Sequence, residues 1–188
     1  MCEAEQWDDA LVELRRQGFA RSVREQETAW RAKIYVGMGR YAEVLKLADE
    51  ARRRSCDIRP YLAIAHARLG HREQALRIGS EALRGKAPDA QISFGHVCRA
   101  CDRYEEALRW FEAAARNRKY RASAQCAIGD TLAALGDYRE AAAAYEQAIR
   151  LTPFARPEDL RALSDCYAKT HWESAARELA QLAEWADR

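Results

Sequence analysis

The chain has 188 residues, long enough for a continuous core, and 48% of them are hydrophobic, which excludes a wholly disordered polymer. Its 31 basic and 29 acidic side chains leave a formal charge of +2, which argues against a protein held mainly by the phosphates of nucleic acid. No apolar run approaches the roughly 18 residues of a bilayer span, and the polar start MCEAEQWDDA does not read as a secretory signal, so a soluble cytoplasmic protein is expected.

One signature sets the predicted elements. An anchor, small in nearly every copy, recurs at Ala10, Val44, Ala75, Ala107, Ala141 and Ala175. Three residues before it stand Trp7, Tyr41, Arg72, Tyr104, Tyr138 and Trp172; four after it stand Leu14, Ala48, Gly79, Phe111, Tyr145 and Leu179. These offsets fall on one face of a helix, and a small anchor suits a place where a partner helix passes close. In chain order, residues 4–18 match a lone second helix, a half-repeat capping the array. Residues 22–54 form a first helix pair turning at Gly39-Arg40, and 58–85 a second, with Pro60 in its first turn and a turn at Gly70-His71. Residues 88–117 form a third, opened by Pro88 and turned at Asp102-Arg103. Residues 122–153 form a fourth, turned at Gly136-Asp137 and stopped by Pro153; 157–186 form the last, with Pro157 at its start and a turn near Thr170-His171. In that last pair either Leu163 or Ser164 occupies the place of Gly129. Eleven helices in one domain over 1–188 are expected, all-α and without strands.

The fourth pair, ASAQCAIGDTLAALGDYREAAAAYEQAIRLTPF from Ala122 to Phe154, resembles one unit of the tetratricopeptide-repeat family. Ile128, Gly129 and Leu132 fall where that pattern has Leu, Gly and Tyr; Ala141, Tyr145 and Pro153 fall where it has Ala, Phe and Pro; Gln125 stands where it has Trp. The resemblance implies a right-handed superhelical solenoid of about five antiparallel helix pairs, each burying its apolar face on its neighbours. It also implies a concave side lined by the first helices. By alignment to the family's inward positions, that lining takes Lys33, Ile64, Arg68, Ile92, His96, Arg99, Cys126 and Asp130, with Asp57, Asp89 and Ala134 alongside. Some relatives grip a C-terminal carboxylate with Lys, Asn and Arg; Lys33 and Arg68 are present here, but the asparagines are absent from these helices.

Reactive chemistry finds little purchase. Cys98 and Cys101 form the one dithiol motif, in the last turns of a first helix, the wrong end of the dipole for a stabilised thiolate. They match Leu132 and Leu135, so packing thiols are expected, and neither a metal nor a cofactor is assigned. His66, His71, His96 and His171 are dispersed; His66 matches Leu132 and is expected in or near the core, His71 and His171 at surface turns. Basic clusters at Arg52–Arg54, Arg84–Lys86 and Arg116–Arg121 each close a second helix, where cations offset the dipole or form a basic edge toward RNA or an acidic partner. The expected function is a non-catalytic scaffold or adaptor binding a peptide or protein segment along the first helices. A dedicated chaperone for a secreted client is the alternative, as in bacterial secretion systems, and RNA binding stands behind both. Self-association through the terminal helix, with Leu182 and Trp185 exposed, remains open.

Overall fold

The computed structural model describes residues 21–83, 87–152 and 155–186, with side chains from residue 27. The half-repeat expected at 4–18, the 84–86 cluster and the helix stop at Pro153 lie outside the described residues. Every regular element among the described residues is a helix. They are α1 Arg21–Gly37, α2 Tyr41–Lys46, α3 Ala48–Arg53, α4 Arg59–Arg68, α5 Arg72–Ala82, α6 Pro88–Ala100, α7 Tyr104–Ala115, α8 Arg121–Leu135, α9 Tyr138–Arg150, α10 Pro157–Lys169 and α11 Glu173–Ala186. Segments α2 and α3 are one helix interrupted at Leu47, so the five expected pairs are all present. Contacts gather these pairs into two compact units, divided between residues 85 and 86.

Proline sets where three first helices begin. Pro60, Pro88 and Pro157 each stand in the first turn of their helix, where the missing amide proton leaves no intrahelical acceptor unfilled. The residues before Pro88 and Pro157 are extended (Ala87 ψ 140°, Arg156 ψ 141°), as the proline ring requires of its predecessor.

All five turns within pairs use one device. The first helix ends, one residue enters the left-handed region, and the next N–H donates five residues back. These closing bonds run from Arg40 to Tyr35 O (2.8 Å), and from His71 to His66, Arg103 to Cys98, Asp137 to Leu132 and Trp172 to Tyr167 (each 2.9 Å). That is a Schellman closure, which satisfies a carbonyl the helix end would otherwise orphan. The left-handed residue is Gly39 (φ 69°), Gly70 (83°) or Gly136 (88°) in three turns, and Asp102 (61°) or His171 (66°) in the other two.

The shared closure fixes the register of the repeats. Tyr35, His66, Cys98, Leu132 and Tyr167 are equivalent, so the residues three before them (Ala32, Ala63, Gly95, Gly129 and Ser164) form one close-approach position. The open choice in the last pair is therefore resolved to Ser164, whose hydroxyl donates to Ala176 O at 2.8 Å. Four expected anchors, Val44, Ala75, Ala107 and Ala141, are fully buried. The fifth needs correction. The last turn arrives one residue later, so the N–H that bonds Trp172 O belongs to Ala176, and Ala176 rather than Ala175 is the buried anchor.

At the close-approach position, bulk on one helix meets a gap on the other. A Cβ on Gly95 would stand 2.5 Å from Phe111 Cε1, and one on Gly129 2.9 Å from Tyr145 Cε1. The second pair reverses the sizes, with Ala63 on the first helix and Gly79 on the second, both buried. Within the second unit the first helices also touch one another, α6 with α8 and α8 with α10; within the first unit α1 touches α4. That adjacency brings the candidate residues together.

Candidate functional site

In the first unit, Lys33 is exposed on α1, with Nζ 5.3 Å from the Trp30 ring centroid. Ile64 is half-buried and Arg68 exposed on the neighbouring α4. In the second unit, Ile92, His96 and Arg99 lie on α6, and Cys126 and Asp130 on the adjoining α8, all of them half-buried. Five of the eight expected positions thus gather on two touching first helices.

The link between those helices is an ion pair. Arg99 Nη1 donates to Asp130 Oδ2 at 2.7 Å, and Tyr145 Oη donates to Asp130 Oδ1 at 2.8 Å, so both carboxylate oxygens are engaged. The gap at Gly129 makes this possible, because the Tyr145 ring crosses the glycine and its hydroxyl reaches the next residue. One repeat earlier Phe111 crosses Gly95 and meets the next residue, His96, edge-on with ring centroids 5.0 Å apart. In these two pairs the aromatic of the second helix therefore supports a polar side chain of the first-helix face from behind. Burial, with the Asp130 charge added, holds the Tyr145 phenol far above its ordinary range, so it stays a hydrogen-bond donor.

A second network follows one repeat on. Arg156 grips Asp159 through Nε (2.8 Å) and Nη2 (2.7 Å), and Cys126 Sγ donates to Asp159 Oδ1 at 3.3 Å. Asp159 is only 5% exposed, and its charge is tolerable there because the guanidinium is bidentate. Burial and that carboxylate push the Cys126 thiol up to about 12. Asp159 and Arg156 were absent from the sequence-derived site. The signal available was Arg-Pro-Glu-Asp at a helix start, an i,i+3 pair on either side of a first-turn proline.

Cys98 and Cys101 lie in the core, 0% and 5% exposed, and burial pushes the Cys98 thiol up to about 12. A protonated, enclosed thiol is the opposite of a reactive one. Among the described residues no three His, Cys, Asp or Glu side chains converge as metal ligands would, and no helix is long and apolar enough to cross a membrane. This face carries an ion pair, half-buried aliphatic surface and an imidazole.

Comparison with known proteins agrees with the geometry. The family model for the tetratricopeptide repeat matches residues 88–153, the third and fourth pairs. No curated protein matches the chain in sequence. Among solved structures, TTC0263, a thermophilic tetratricopeptide-repeat protein of Thermus thermophilus, is similar with TM-score 0.71 and 23% identity, over 85% of this chain and 89% of that one. PilF of Pseudomonas aeruginosa is similar with TM-score 0.69 and 17% identity, over 88% and 78% of the two chains. MamA of Desulfovibrio magneticus gives 0.62 and 19%, over 87% and 95%. At these identities the likeness is one of fold.

Proposed function

The chain is a tetratricopeptide-repeat protein, and from that premise we propose a cytoplasmic, non-catalytic scaffold that holds a peptide or protein segment against its first helices. Proteins built from this repeat are in general interaction modules. The observation that carries the finer reading is the bridged face of α6 and α8. Ile92, His96 and Arg99 on α6 and Cys126 and Asp130 on α8 give this face a mixed character, with Phe111 behind His96 and Tyr145 behind Asp130. Side chains already held by a partner, as Arg99, Asp130 and His96 are, lose less entropy when a ligand arrives, which favours recognition. Within the first unit Arg68 supplies charge and Ile64 apolar contact; within the second, Arg99 and Ile92 do the same.

The test is a pull-down from native lysate with wild type and Arg68→Glu/Arg99→Glu, the fold of both verified by circular dichroism. A partner lost specifically from the variant supports the reading. The same partners with both proteins contradict it, and a single co-purifying unfolded client would favour the dedicated-chaperone alternative.

A further inference from the structure

The basic clusters at the ends of second helices differ in their surroundings. In the first, Arg52 lies 3.4 Å from Asp49, and Arg54 reaches Glu27 at 3.1 Å and Glu50 at 3.3 Å, so neighbouring acids neutralise the run. The connection from α7 to α8 has no such relief. Arg-Asn-Arg-Lys-Tyr-Arg over residues 116–121 places four cations in six residues with no acid among them. Arg116, Arg118, Lys119 and Arg121 are all exposed, and among the described residues none forms an ion pair.

Compensation of the helix dipole accounts for only part of this charge. Arg121 alone serves the end of α7, with Nε donating to Ala115 O at 3.1 Å. The segment is not a slack loop that spreads its charges apart. Lys119 N–H donates to Asn117 Oδ1 at 3.0 Å and Tyr120 N–H to Asn117 O at 3.1 Å, which closes a turn and keeps the cations together. Crowded like charges on an ordered turn raise the local potential and attract an anion.

We propose that this turn docks a short acidic segment of a partner protein, with Asp or Glu carboxylates of the segment meeting Arg116, Arg118 and Lys119. Three observations favour carboxylates on a short segment over the phosphates of nucleic acid. Glu112 is exposed in the last turn of α7, one turn before Arg116, and would repel a longer polyanion. The one aromatic of the run, Tyr120, carries Lys119 Nζ 5.3 Å over its ring, which takes up a face that a base would stack on. The charge of the whole chain is nearly balanced at +2. The proposal does not depend on the reading of the α6–α8 face.

Fluorescence anisotropy of labelled octaglutamate, titrated with the full chain in low salt, tests the assignment. Binding is expected, weakened as salt screens the contact, lowered at least about tenfold by Arg116→Glu/Arg118→Glu/Lys119→Glu, and kept within about twofold by Arg116→Lys/Arg118→Lys. All five substitutions are at exposed positions, and circular dichroism checks that the fold is intact. Absence of binding, or equal binding by the charge-reversed protein, overturns the proposal. So does tighter binding of a single-stranded oligonucleotide of similar charge, which would give this turn to nucleic acid instead.

Discussion

His66 and His71 face each other through their Nδ1 atoms at 3.2 Å, with ring centroids 5.5 Å apart, so one imidazole donates and the other accepts. His66 is buried, and burial first, then the charges of His71 and Arg77, holds its pKa below the ordinary histidine value. The fold therefore binds the neutral ring more tightly than the charged one. The resulting stability is complete above the unfolded value of 6.5 and is lost as pH falls through the lowered folded value. The thermal midpoint should fall between about pH 7 and pH 5, and His66→Leu, which copies Leu132 of the fourth pair, should flatten that dependence. A midpoint equally pH-dependent in both proteins would remove His66 as the cause. At the last turn, His171 holds a left-handed φ of 66° that glycine adopts freely in three other turns. His171→Gly should stabilise the protein by about 1 kcal/mol in urea unfolding, and a loss of stability would mean the imidazole has a contact that outweighs the strain.

Helix pairs are joined through their close-approach positions, and these decide which substitutions the repeats tolerate. Gly95→Ala and Gly129→Ala should each cost about 1–3 kcal/mol, because the aromatic rings behind them sit closer than an added methyl allows. Adding Phe111→Leu to Gly95→Ala should recover part of the loss, and no recovery in denaturant melts would place the strain elsewhere. Much at this scale was legible in the sequence. The turns at Gly39, Gly70, Asp102, Gly136 and His171 were found because turn chemistry is local, and the buried anchors because helical offsets repeat. The one-residue slip at Ala176 was not, since Trp172 three residues before Ala175 imitates the aromatic of the other copies. The hydrogen bonds from Trp172 N–H to Tyr167 O and from Ala176 N–H to Trp172 O show that the indole residue belongs to the turn, 61% exposed, its ring tilted against Tyr167 with centroids 5.3 Å apart. The pairing of Arg99 with Asp130 was equally hidden, because the partners are 31 residues apart and meet only when α6 and α8 touch.

For the molecule as a whole, each unit presents candidate residues on its own pair of neighbouring first helices: Lys33, Ile64 and Arg68 in one, Ile92, His96, Arg99, Cys126 and Asp130 in the other. The sequence identified these positions as a class, through the resemblance of residues 122–154 to a known repeat. It did not reveal that Arg99 on α6 and Asp130 on α8 pair with each other. The most direct measurement is site-specific photocrosslinking, with a benzophenone side chain placed at Ile92 on α6 and, separately, at the exposed Gln147 on the second helix α9. Capture of the partner from Ile92 and not from Gln147 is the predicted result; capture from Gln147 alone would put the binding surface on the second helices and contradict the first-helix reading.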